Sequence, residues 1–238
     1  MKITFKKALI SVFCFATLIF AVFLWYHGVD NRLSESDLEY VPKYINAAAI
    51  KTGERTYEDE IAAIRIIQDA VLSTAPVDQG IPYGQERELA ELYNAKYGLC
   101  FDRSRAIEKI LRFYGFQTRH IFVLSTNGKS SAAEALFTRE IPSHAISEVL
   151  TQKGWLVVGS NVRWLSLDSD GNPRSMEDVK LAFAGEKEIS WKEAAPPIYT
   201  NLVPYVYIYG LYSRHGKFYP PYDFVPDVNY SEFADNLF

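Results

Sequence analysis

Tyr97-Gly98-Leu99-Cys100-Phe101-Asp102-Arg103-Ser104-Arg105-Ala106-Ile107 decides how this chain is read. It sets a cysteine directly after Gly98 and Leu99 and just ahead of Ala106, Ile107, Ile110, Leu111 and Tyr114, which recur at helical spacing. A thiol there stands at the positive end of a helix, where unpaired backbone N–H groups favour the thiolate. The competing reading is a small buried hydrophobe, the commonest state of a free cysteine. A partner base elsewhere in the chain separates the two.

The segments around it are ordered helices first, strands second. Upstream, Ser34 with Asp37 opens a helix to about Lys51, and Thr56 with Asp59 opens a second to about Ser73. The second carries Ile61, Ile64, Ile67 and Val71 as a core stripe. Pro76, Gly80, Pro82 and Gly84 mark a loop, and Glu86 to Ala95 is a third helical segment. Downstream, Gly115 ends the cysteine helix, and Thr118 to Ser125, His144 to Leu150, Trp155 to Val158 and Arg163 to Leu167 read as strands. Ser175 with Asp178 caps a short helix, and Tyr205, Tyr207 and Tyr209 alternate like a strand. The order predicts an α+β domain whose antiparallel sheet packs on the cysteine helix.

With 238 residues, 48% hydrophobic and 23% charged, the chain can bury one core and carry an appendage. A net charge of −4 gives no basic excess, so nucleic acid is not an expected partner. The two cysteines, Cys14 and Cys100, cannot build a disulfide framework or a cysteine zinc site, and no metal or organic cofactor is expected.

Cys14 lies in Ala8 to Tyr26, an apolar run without charge that ends on Trp25 and Tyr26. Its length matches the ~20 residues a helix needs to cross a bilayer, and its aromatic end suits the interface. A cleaved signal peptide competes, but the apolar run is long for one and lacks a small-residue cleavage pair before His27. Lys2, Lys6 and Lys7 before the span, against Asp30, Arg32, Glu35, Asp37 and Glu39 after it, place the N-terminus in the cytoplasm. The expected location is therefore the cell membrane, with a single span through residues 8–26 and the rest of the chain outside. The expected divisions are 1–27 for stub and anchor, 28–55 for linker and first helix, 56–195 for the domain and 196–238 for a Tyr- and Pro-rich extension packed on it.

Four histidines are candidate bases. His27 stands at the membrane edge, His215 in the tyrosine-rich tail and His120 after Arg119. His144 opens a strand, and a sheet strand can hold an imidazole against a helix terminus, as a thiol–imidazole site requires.

Gly98-Leu99-Cys100-Phe101-Asp102, then Leu111-Arg112-Phe113-Tyr114-Gly115-Phe116-Gln117-Thr118-Arg119, then His144-Ala145 with Glu148-Val149 and Gly154-Trp155, resembles the core of the transglutaminase-like superfamily over roughly residues 90 to 170. The resemblance implies a papain-like α+β core, with Cys100 as nucleophile and His144 as base. The family's third residue, usually Asp, falls about four residues after Trp155, where this chain has Gly159 followed by Ser160 and Asn161. Asn161 is the expected substitute, since an amide can also orient the imidazole. Asp168 and Asp170 are outside candidates in a turn. The backbone N–H of Cys100, with Asn94 or Tyr97, is the expected oxyanion donor set.

The resemblance implies a cysteine enzyme acting on amide bonds through a thioester, as protease, amidase, hydrolase or acyl transferase, and the expected location outside the membrane makes envelope peptides or proteins the expected substrates. The alternative is a weakened or inactive transglutaminase-like binding or scaffold module of the envelope, linked in one version to surface polysaccharide through the tyrosines. Asp102, Arg103 and Arg105 read as a solvated helix face and Glu148 as an exposed strand position. Arg119 and Arg163 are possible carboxylate binders, and Asn229-Tyr230-Ser231 fits a glycosylation sequon.

Overall fold

A computed structural model describes residues 2–82, 85–138, 141–212 and 227–237. Gly84, His215, Tyr219 and Tyr222 lie outside the described residues.

The first helix, α1 (Lys2–His27), includes a 21-residue stretch, Lys7–His27, in which an 18-residue window reaches a mean hydropathy of 2.5. Its length and apolar character suffice to cross a bilayer. Ser34 and Asp37 then cap each other's backbone at the start of α2 (Glu35–Tyr44). This helix stops short of the expected Lys51, because Ile45 is extended and the Asn46 side chain starts a separate 3-10 turn at Ala47–Ala49. Thr56 and Asp59 cap α3 (Tyr57–Thr74) in the same reciprocal way, and α4 (Leu89–Ala95) starts three residues later than expected.

The cysteine helix is α5 (Cys100–Phe113). Asp102 accepts the Leu99 N–H at its start, and Gly115, at φ 84°, ends it by letting the Phe116 N–H return to the Leu111 carbonyl. Then follow β1 (Thr118–Ser125), α6 (Ala132–Leu136), β2 (Ser143–Thr151), β3 (Gly154–Val158), α7 (Met176–Phe183), α8 (Pro197–Asn201), β4 (Tyr205–Tyr209), β5 (Leu211–Tyr212), β6 (Asp227–Val228) and α9 (Tyr230–Ala234).

The main sheet is antiparallel in the order β3-β2-β1-β4. Its edge strand β4 comes from the C-terminal stretch, with Val123 opposite Tyr207. One core joins Ile64, Ile67, Ile107 and Ile110 to Val149, Leu156 and Val158. A second covers the other face, where Ile121, Ile146 and Val157 meet Met176, Val179 and Tyr199. The mixed helix and antiparallel sheet is the expected α+β class.

Three local readings are corrected. Arg163 to Leu167 forms no ladder: Trp164 N–H turns back to Val162 and Leu167 N–H to Leu165, leaving isolated bridges to Leu165 and Leu167. Asp102, Arg103 and Arg105 are buried, because their partners arrive from distant segments: Arg87 on Asp102 at 2.5 Å and Glu88 on Arg105 at 3.1 Å. Glu148 is fully buried, held by Arg119 at 2.7 Å and by the Met176 N–H that opens α7. Charges removed from water survive only with such partners. Arg119 is thus committed internally, whereas Arg163 is exposed and pairs with Asp69. Asn229 is buried with its amide donating to Val29, which removes the sequon from any modifying enzyme in the folded chain.

Candidate active site

Cys100 is the first residue of α5 and is partly exposed. Its Sγ accepts the backbone N–H of Ala145 at 3.5 Å, so the sulfur rests on β2 beside His144. Ser160, just past β3, donates to the Ala145 carbonyl at 2.5 Å and holds the same peptide from the other side. The nucleophile candidate and the base candidate are thereby brought to one end of the sheet.

His144 is buried, and its ring makes no hydrogen bond among the described residues. Its ring meets the Tyr199 ring edge-on, with centroids 6.4 Å apart and planes at 78°. Tyr199 is itself fully buried, stacked on Phe183 at 6.0 Å and tilted against Trp164 at 5.0 Å. His144 thus meets an aromatic wall on this flank.

Extending the β2–β3 register, Ser147 opposite Val158, sets Asn161 across from His144. Its carbonyl oxygen is nevertheless taken by Arg103, whose Nη1 donates to it at 2.8 Å. Arg103 also donates to the Ala75 and Val77 carbonyls at 2.8 Å each and to Asp78 at 3.2 Å. Asn161 is thus bound to Arg103 and not to His144. Arg103 stands three residues after Cys100, on the same side of α5, which is the signal that could have marked it. Nothing in the sequence marked Tyr199.

The position expected for the acid is closed by backbone. A Cβ on Gly159 would meet the Val162 carbonyl oxygen at 2.7 Å and that of Trp164 at 3.2 Å. Gln68 fixes these carbonyls, its amide donating to Gly159, Val162 and Trp164 at 2.8, 3.2 and 2.9 Å. Asp168 does not substitute: it accepts the N–H groups of Asp170 and Asn172 and pairs with Arg174. Asn94 is exposed and donates to Tyr40, so it does not join the oxyanion donors.

The electrostatics follow from burial. Removal from water pushes the Cys100 thiol up to about 11, against the opposing N–H groups of Ala145 and Phe101. Burial, with the Arg103 charge nearby, pulls His144 down to about 4. At neutral pH the pair is therefore thiol and neutral imidazole, not a preformed ion pair.

Residues 47–160 match the family model described as the transglutaminase-like superfamily. The chain carries a transglutaminase-like domain. The match takes in Cys100, His144 and Gly159 and ends one residue before Asn161. β4 and Tyr199, which pack on the matched stretch, lie beyond its C-terminal bound. No curated protein matches this chain.

Proposed function

We propose that the protein is a membrane-anchored cysteine enzyme whose transglutaminase-like domain, outside the cytoplasmic membrane, acts on amide bonds of envelope peptides or proteins. The observation that carries this reading is the seat of Cys100 Sγ on the Ala145 N–H, at a helix start and beside His144.

The chemistry starts from the neutral pair. Cys100 Sγ attacks the amide carbonyl as His144 takes the thiol proton. The C–N bond breaks, His144 returns the proton to the departing amine, and a thioester remains on Cys100. Water or a second amine then releases the acyl group, giving hydrolysis or transfer. The Cys100 N–H at the start of α5 faces the developing oxyanion.

A specific observation favours a second reading, a binding or scaffold module: the third position is not merely empty but filled by the Val162 and Trp164 carbonyls. The polysaccharide version has less support, since Tyr205 and Tyr209 are buried and Tyr207 donates to Glu177.

Mixing the Cys14→Ser chain with an activated acyl ester at neutral pH and weighing the intact protein separates the readings. One acyl group added to Cys100, and lost in His144→Ala, is expected of the enzyme. An unmodified chain sinks the enzyme reading and leaves the module.

A further inference from the structure

The end of α1 is built into the domain. His27 Nδ1 lies 3.2 Å from Asp227, Val29 N–H donates to Val228, and Tyr230 OH donates to the Leu24 carbonyl at 3.0 Å. This joint encloses an open cavity of about 760 Å³, walled by Leu24, Trp25 and Tyr230 and rimmed by Asp30, Arg32 and Arg112.

The depth of those walls says what fills it. Leu24 and Trp25 belong to the apolar stretch Lys7–His27, so in a membrane the cavity opens at the interfacial layer and not into bulk water. Trp25 is 80% exposed, and its indole N–H makes no hydrogen bond among the described residues. Arg112 donates only through Nη2, to Thr118 and Glu232, which leaves Nε and Nη1 uncommitted. Arg32 is exposed and engages Asp30 through Nε and Nη2, leaving Nη1. Free guanidinium donors match phosphate oxygens, and an aromatic wall suits the glycerol and first methylenes behind them.

We propose that this cavity seats the phosphate headgroup of a glycerophospholipid from the leaflet on the domain's side. The inference rests on the membrane-spanning reading of α1 and is independent of the chemistry at Cys100.

The test uses the full chain. Alkaline carbonate washing of membranes comes first: release of the chain overturns the anchor reading, and the lipid site with it. The retained chain is then purified in maltoside, supplied with phosphatidylglycerol or a phosphate-free galactolipid, and weighed by native mass spectrometry. One phosphatidylglycerol held in preference to the galactolipid is expected, with retention falling about tenfold or more in Arg112→Gln and in Arg32→Gln as charge-assisted contacts are lost. Trp25→Ala, at a side chain 80% exposed, is expected to weaken retention as well. Equal retention of both lipids, or retention indifferent to all three substitutions, overturns the proposal. Displacement of the lipid by millimolar inorganic phosphate overturns it in favour of a soluble-anion site.

Discussion

A buried imidazole with no polar partner resists protonation. Because His144 is pulled from its ordinary 6.5 to about 4, the unfolded chain takes up this proton first as pH falls. Stability present above about pH 6.5 is therefore expected to drain away between there and pH 4, by of order 3 kcal/mol from this residue. Denaturant titrations across that window check it, and a His144→Ala profile as steep as the parent's would contradict it. Arg103→Gln removes the nearby charge and should move the His144 titration upward, which histidine NMR reads directly. Tyr199→Phe should leave that titration in place, since the ring and not the hydroxyl meets the imidazole. Gly159→Asp, the substitution that restores the family's acid on paper, is expected to lower stability by about 1–3 kcal/mol through overpacking against Val162 and to leave acylation of Cys100 no faster.

At the scale of elements, the same chain shows why some of the fold was legible and some not. Reciprocal caps at Ser34 and Asp37, Thr56 and Asp59, and Ser175 and Asp178 are local, so their helix starts stand where the spacing put them. The bounds of β1, and those of β2 to within one residue of the expected His144 to Leu150, followed from short apolar runs between turn signals. The buried charges of α5 did not, because Asp102 and Arg105 pair with Arg87 and Glu88 from a loop, and Lys109 with Asp37 from α2 at 2.5 Å. A charge run reads as a wet face until its partners are known. Of the site, Cys100 and His144 were legible by position, whereas the commitment of Asn161 to Arg103 and the wall of Tyr199 arise only from packing. The strand β4 adds a prediction here. Ending the chain at residue 204 strips the partner from β1, exposing its backbone along Ile121 to Ser125, and the truncated protein should aggregate on expression while the full chain does not.

Across the whole molecule, residues near the two ends of the chain make one joint. Gly210, at φ 74°, lets the backbone turn from β4 into it, and a Cβ there would meet Phe233 N at 2.6 Å and Asn229 O at 2.7 Å. Gly210→Ala is expected to cost about 1–3 kcal/mol or more and to loosen the joint, seen as faster proteolysis at residues 28–34 in membrane-embedded protein. Beyond the joint, Asp30 and Asn31 are gripped by Arg105 at 2.9 and 2.6 Å, and Arg105 stands five residues along α5 from Cys100. A loose tether of the same length would let the cysteine sweep a volume above the bilayer. On the membrane-spanning reading of α1, a pinned one holds it at a single altitude, so the anchor acts as a gauge. On the enzyme reading proposed above, the bonds within reach are then decided by their height above the lipid before any pocket has inspected them.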